Sequence, residues 1–198
     1  DEQINTYSNN WFKLREENPE VIKEKVRDFI SSIDKIKNLA FLKRRPVFLS
    51  MMIHIHTTKG KLPYSRAMAY KYMVEAYIEH IDMARRLNKL YSKDWSFEDK
   101  ERLLEELAYK LHSSSIDDMD DFHITLSKEQ LKEALINIIE KNLEKWQTVE
   151  QGDENELLEF YISRTGLLHE PEENKIQFSH LSFQEYLTAH SIYKKVIE

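Results

Sequence analysis

The chain has no cysteine and, in 198 residues, only 3 glycines and 4 prolines. Without cysteine there are no disulfides, no Cys-ligated zinc and no thiol chemistry, as suits a reducing compartment. Glycine and proline together make up 7 of the 198 residues, well below the ~12% of an average protein, which excludes a loop-rich or all-β fold. Scarce glycine also removes phosphate-cradling motifs. Gly60, Gly152 and Gly166 are the only three, and Gly60-Lys61 lacks both the upstream Gly and the following hydroxyl of a Walker loop. G-x-G-x-x-G and G-x-S-x-G are excluded by the same count, so no catalytic residue is assigned and the chain is expected not to hydrolyse nucleotides by itself. The longest apolar stretch, Val47 to Ile55, is broken by Ser50 and His54, far short of the ~18 clean residues of a membrane span. The start shows no basic residues followed by an apolar run, hence no secretory signal, and it opens on Asp1 rather than Met, which reads as an excised piece. Cation is also in short supply: 29 Lys and Arg against 35 Asp and Glu give a net charge of −6, which argues against a general binder of phosphate backbones.

What is present is helical punctuation. Asn18-Pro19-Glu20 supplies an N-cap, a Pro at the first helical position and an acid in the first turn, and Ile22, Val26, Phe29, Ile30 and Ile33 then recur on one face. A short helix around Ile36 to Leu42 must end before Pro46, because the residue ahead of a proline is pushed out of helical geometry. Pro46 starts a third helix, apolar on nearly all sides to His56 and stopped by the turn Lys59-Gly60-Lys61-Leu62-Pro63. Tyr70, Met73, Val74, Tyr77, Ile81, Ala84 and Leu87 predict a long amphipathic helix. Ser96 with Asp99 resembles a capping box ahead of Leu103, Leu104, Leu107, Ala108 and Leu111, and Asp117 to Asp121 reads as an acidic loop.

The second half changes grammar. Ser127-Lys-Glu-Gln130 is a capping box that opens a helix with Leu131, Leu135, Ile138, Ile139 and Leu143 inward. Asp153 is expected to cap a shorter helix ending at Gly166 in a left-handed position. Leu167-Leu168-His169 and Lys175-Ile176-Gln177-Phe178, on either side of Pro171-Glu-Glu-Asn174, read as a hairpin, and Ser179 or Ser182 starts a last helix. Three helices followed by a hairpin is the order of a winged helix. The fold class is therefore mainly α, a helical bundle over residues 1–92 followed by a winged-helix domain over 93–198 with one small β-hairpin.

Composition offers several chemistries that fail on spacing. His54 and His56 lie about 200° apart on a helix, whereas joint metal ligation wants a spacing of three or four, so they read as core or rim histidines and no metal residue is assigned. Asp117, Asp118, Asp120 and Asp121 lack the turn Gly and terminal Glu of a calcium loop. A winged helix reads DNA with the helix before its hairpin, but residues 153–165 carry four acids and one Arg, with Glu170, Glu172 and Glu173 in the wing. Repulsion is what those residues produce. A DNA-binding regulator is disfavoured for that reason, and nucleic acid is not an expected partner.

The run Phe178-Ser-His180-Leu-Ser-Phe-Gln-Glu-Tyr-Leu187 is more specific. It resembles the C-terminal winged-helix signature of NACHT-family NTPases, signal-transducing ATPases of the STAND class that include animal inflammasome receptors and bacterial anti-phage proteins. Arg45-Pro46-Val-Phe-Leu-Ser-Met, Gly60-Lys-Leu-Pro63-Tyr-Ser-Arg66 through Tyr70, Leu104-Glu-Glu-Leu-Ala108-Tyr-Lys-Leu-His112 and Ser163-Arg-Thr-Gly166-Leu-Leu resemble other family segments in the expected order. Arg45 stands where Asn or Gly is common, and Thr188 where Ala is usual. The resemblance implies a cytoplasmic regulatory half whose Walker core lies in another domain. It also implies two nucleotide-binding residues: Pro46 against the adenine of ADP or ATP, and His180 donating to the terminal phosphate of ADP. The expected partners are its own nucleotide-binding domain and, on activation, further copies of the parent. A free-standing helical interaction module is the alternative.

Overall fold

The computed structural model of the chain describes residues 2–80, 93–114 and 125–197, which fall into two compact units, Asp1–Met73 and Val74–Glu198. Helical punctuation decides most of the first unit. Helix α1 (Glu2–Lys13) is followed by α2 (Pro19–Asp34), where the Asn18 side chain accepts from the backbone N–H of Glu20 at 3.0 Å, one of the donors a helix start leaves orphaned. Ile22, Val26, Phe29 and Ile33 form its buried stripe, and Ile30 is half-buried. The short helix expected around Ile36 to Leu42 is instead two 3₁₀ turns, Lys37–Leu39 and Leu42–Arg44. Only Leu39 and Leu42 of these turns reach the core, which a tighter coil satisfies without a full α-turn. Arg45 is extended at φ −109°, ψ 119°, as its position before Pro46 requires. Helix α3 (Pro46–Lys59) buries Phe48, Leu49, Met52, Ile53, Ile55 and His56 around its circumference. It stops at Gly60, whose φ of 71° is the left-handed geometry that favours glycine.

Helix α4 (Arg66–Glu75) continues as a π turn, Ala76–His80. The rest of the predicted long helix, residues 81–92, lies outside the described residues, as do the expected acidic loop and the residue at which the 1–92 segment ends.

In the second unit, α5 (Phe97–Ser114), α6 (Lys128–Lys141) and α7 (Glu154–Glu159, continuing as a π turn Phe160–Thr165) precede the antiparallel hairpin β1 (Leu168–Glu172) and β2 (Lys175–Phe178). Helix α8 (Leu181–Ile197) closes the chain and packs along α5. This is the mainly helical, winged-helix order. The hairpin register pairs Leu168 with Phe178 and Glu172 with Lys175, with an irregularity between His169 and Glu172. Pro171, which has no N–H to give a ladder, sits in that irregular stretch. The turn is thus tighter than Pro171–Asn174, and Asn174 takes the left-handed φ of 57°. Leu126 adds a one-residue antiparallel bridge to Ile176, with N–H···O distances of 2.9 and 2.8 Å, and ties the wing to the start of α6. The Ser127 capping box is fully formed. Leu143, expected inward, is 49% exposed because α6 ends at Lys141 and a 3₁₀ turn rotates it out.

Two of the expected caps do different work. Ser96 Oγ accepts from the Asp99 N–H at 3.1 Å, but the Asp99 carboxylate turns away from the cap. It receives the N–H groups of Gln147, Thr148 and Val149 and the Thr148 hydroxyl, at 2.6–3.2 Å, while the Ser96 N–H goes to Thr148 Oγ1. Asp153 holds the N-cap position of α7 and its carbonyl accepts the Leu157 N–H, but its carboxylate makes no cap bond and accepts instead from the Trp95 indole at 3.0 Å, the Glu150 N–H and Lys93. Two long-range clasps therefore fasten residues 93–99 to the loop before α7. Burial pushes the Asp99 carboxyl up, yet the donors from Thr148, Gln147 and Val149 outweigh it and hold the group below the usual carboxylate range.

A native carboxyl held low contributes stability that is complete above the unfolded-state value of ~3.9 and is lost as pH falls through the native value. Asp99→Asn should cost about 2–4 kcal/mol in urea unfolding at neutral pH, since an amide would direct a donor at donors. The gap between variant and parent should close on acidification below pH ~4; a gap that persisted there would assign the loss to packing.

Candidate functional site

His180 sits in the bend between β2 and α8, and backbone bonds fix it there. The Ser179 N–H donates to the Leu167 carbonyl at 2.8 Å, and the His180 carbonyl accepts from Phe183 at 3.0 Å, closing the first turn of α8. Its ring is half-buried and lies tilted 6.0 Å from the ring of fully buried Phe183, which in turn meets Tyr77 edge-on at 5.5 Å. The imidazole thus rests on an aromatic support. Neither expected serine caps α8. The Ser179 hydroxyl is buried without a partner, and Ser182 lies inside the helix.

Pro46 occupies the first position of α3 and is exposed. With Tyr7, Leu49, Lys43 and Arg44 it lines a cleft of about 390 Å³. The Ser50 hydroxyl donates to the Pro46 carbonyl at 3.0 Å and pairs with the Tyr7 hydroxyl, so α1 braces the first turn of α3. A rigid ring with no N–H presents a flat apolar surface on which a heteroaromatic base loses no hydrogen bond. Pro46 lies in the first unit and His180 in the second.

The histidines of α3 divide as their spacing suggests. His56 is buried, 3.3 Å from Ser32 Oγ and edge-on to Phe29, while His54 is half-buried. Among the described residues no three His, Cys, Asp or Glu side chains converge as a metal site. In α7 the single cation, Arg164, is 4% exposed, so none is left to face a phosphate.

One polar centre was not legible in the sequence. Glu105 of α5 is 2% exposed and takes His190 Nδ1 at 2.5 Å and Lys194 Nζ at 2.9 Å, both from α8. Lys195 pairs with Glu106 at 3.0 Å. The His190 ring stacks on Tyr186 and Tyr193. Burial, with Glu101, Glu105 and Glu75 nearby, pushes the Tyr186 hydroxyl far up, so it stays neutral. Gln184 is 5% exposed, because α8 buries a second row, Gln184, Thr188 and Ser191, beside Phe183 and Leu187. Tyr186 is half-buried, and Glu185 is exposed. The only available signal was the i, i+4 spacing of His190 and Lys194 against Glu101 and Glu105.

The fold and the junction define a winged-helix module whose recognition helix is acidic and whose distinctive residue precedes its last helix. A family model described as the winged helix-turn-helix domain C-terminal to NACHT matches residues 66–192, and the chain belongs to that family. No curated protein and no solved structure matches it. A domain of this kind is not itself catalytic. No described helix is long and apolar enough to cross a membrane.

Glu105→Ala should destabilise the second unit by about 3 kcal/mol or more in thermal or urea unfolding, because Lys194 loses its buried counter-charge and His190 its hydrogen-bond partner. A loss under about 1 kcal/mol would place the pair among surface ion pairs.

Proposed function

We propose that this chain is the regulatory helical and winged-helix part of a NACHT NTPase, a nucleotide-gated lever between a sensor and an effector. The reading rests on His180: a half-buried imidazole, backbone-locked at the foot of α8, inside the segment that matches the family. Imidazolium can give a charge-assisted bond to a phosphate near neutral pH. Held that way, the terminal phosphate of ADP clamps the winged helix to a neighbouring nucleotide-binding domain, with Pro46 against the adenine. Exchange for ATP removes the contact, frees the winged helix and exposes an assembly surface, a two-state switch biased by ligand. Innate or anti-phage defence in the cytoplasm is the setting this implies. Its partners are its own nucleotide-binding domain and further copies of the parent, with ADP or ATP supplied from outside this chain.

His180→Ala in the chain joined to its NACHT domain should speed ADP release about tenfold, the worth of one charge-assisted bond, and raise basal assembly. His180→Gln, which keeps a donor, should recover part of the retention. Unchanged ADP release in both variants rejects the clamp. The 198-residue chain alone should bind ADP only weakly, and micromolar affinity by calorimetry would contradict the assignment of the phosphate loop to another domain.

A further inference from the structure

The net charge of −6 averages two unlike parts. Residues 1–73 hold 14 Lys and Arg against 8 Asp and Glu, a balance of +6, whereas residues 74–198 hold 15 against 27, a balance of −12. The cations concentrate further along the chain: from Lys35 to Val74 there are nine and not one acid. In a chain that is 32% charged, forty consecutive residues without a carboxylate of their own leave a locally positive stretch.

The fold gathers part of this stretch. The second 3₁₀ turn and the approach to α3 present Arg44 and Arg45 side by side, both exposed. Arg66, distant in sequence, comes over Phe41, its guanidinium 4.9 Å from the ring centre, and Phe41 is itself 38% exposed. Two residues before Arg66, Tyr64 is 74% exposed. Lys43 next to them is answered by Asp34 at 2.7 Å, whereas among the described residues Arg44, Arg45 and Arg66 form no ion pair. Guanidinium forks match phosphate oxygens, and exposed aromatic rings beside them offer platforms for unstacked bases. An acidic protein surface would use the arginines but has no need of the rings.

We infer that the Phe41–Arg45 segment with Tyr64 and Arg66 is a binding surface for single-stranded nucleic acid, independent of the winged helix and its acidic recognition helix. Arg44, Arg45 and Arg66 hold the phosphate backbone, and Phe41 and Tyr64 take bases by stacking. Sequence preference is weak, because every base has a π-face.

The test is fluorescence anisotropy of the 198-residue chain with labelled mixed-sequence single strands of about 20 nucleotides, across a salt series. Three phosphate contacts predict a loss of affinity of about 20-fold between ~50 and ~200 mM salt. Arg44→Gln with Arg45→Gln should weaken binding and flatten the salt slope by about 1.4, two contacts' worth. Tyr64→Ala should weaken it about fivefold or more and leave the slope unchanged. Circular dichroism should show all variants folded, since Arg44, Arg45 and Tyr64 are exposed. Lys175→Glu on the wing should bind like the parent. The inference is overturned if no strand binds at ~50 mM salt, if the double arginine variant binds like the parent, or if Lys175→Glu loses as much. It is overturned equally if duplex or anionic vesicles bind more tightly than single strands, or if sedimentation shows the patch occupied by a second copy of the chain.

Discussion

The second unit depends on one carboxylate in the wrong place for its apparent job. Asp99 looks like the partner of Ser96 in a helix cap, and instead it crosses to the loop before α7 and gathers three consecutive backbone N–H groups and a hydroxyl. That loop has no regular structure to satisfy its own donors, so the carboxylate acts as the fixed point that a strand or helix would otherwise supply. Asp153, holding Trp95 and Lys93 from the opposite side, repeats the device in reverse. Together they set where α7 begins, hence where the hairpin emerges, and hence where β2 delivers His180.

Local signals were readable wherever a residue answers its own neighbours. Asn18 and Ser127 cap as their sequences specify, Arg45 is extended because Pro46 follows it, and Gly60 and Gly166 stop helices in left-handed geometry. The signals that misled were those in which a polar side chain chose a distant partner over a near one. Asp99 and Asp153 are examples, and so is Glu105, which sits among leucines in a stretch whose periodicity speaks only of burial. A lone bridge such as Leu126 to Ile176 has no period at all and could not be found from pattern. Of the site, His180 and Pro46 were identified by resemblance rather than by chemistry; their half-buried and exposed settings are compatible with ligands but follow from backbone placement that spacing alone does not encode.

Charge tells the same story on a larger scale. A single net value suggested one uniformly acidic surface, while the residues are sorted, with cations before Val74 and acids after it. Pro46 stands amid the cationic stretch and His180 within the acidic part.

The seam between α5 and α8 is fastened unusually for a pair of core helices. Beside Phe183 and Leu187 it carries Gln184, Thr188, Ser191 and the Glu105, His190 and Lys194 group, and the Thr188 hydroxyl is buried with no partner. Greasy surfaces separate in water only at a cost proportional to their area. Amides, hydroxyls and ions forced apart find replacement bonds in the solvent that floods the gap. A helix attached partly by such groups exposes less bare apolar area on separation than one attached by hydrocarbon alone.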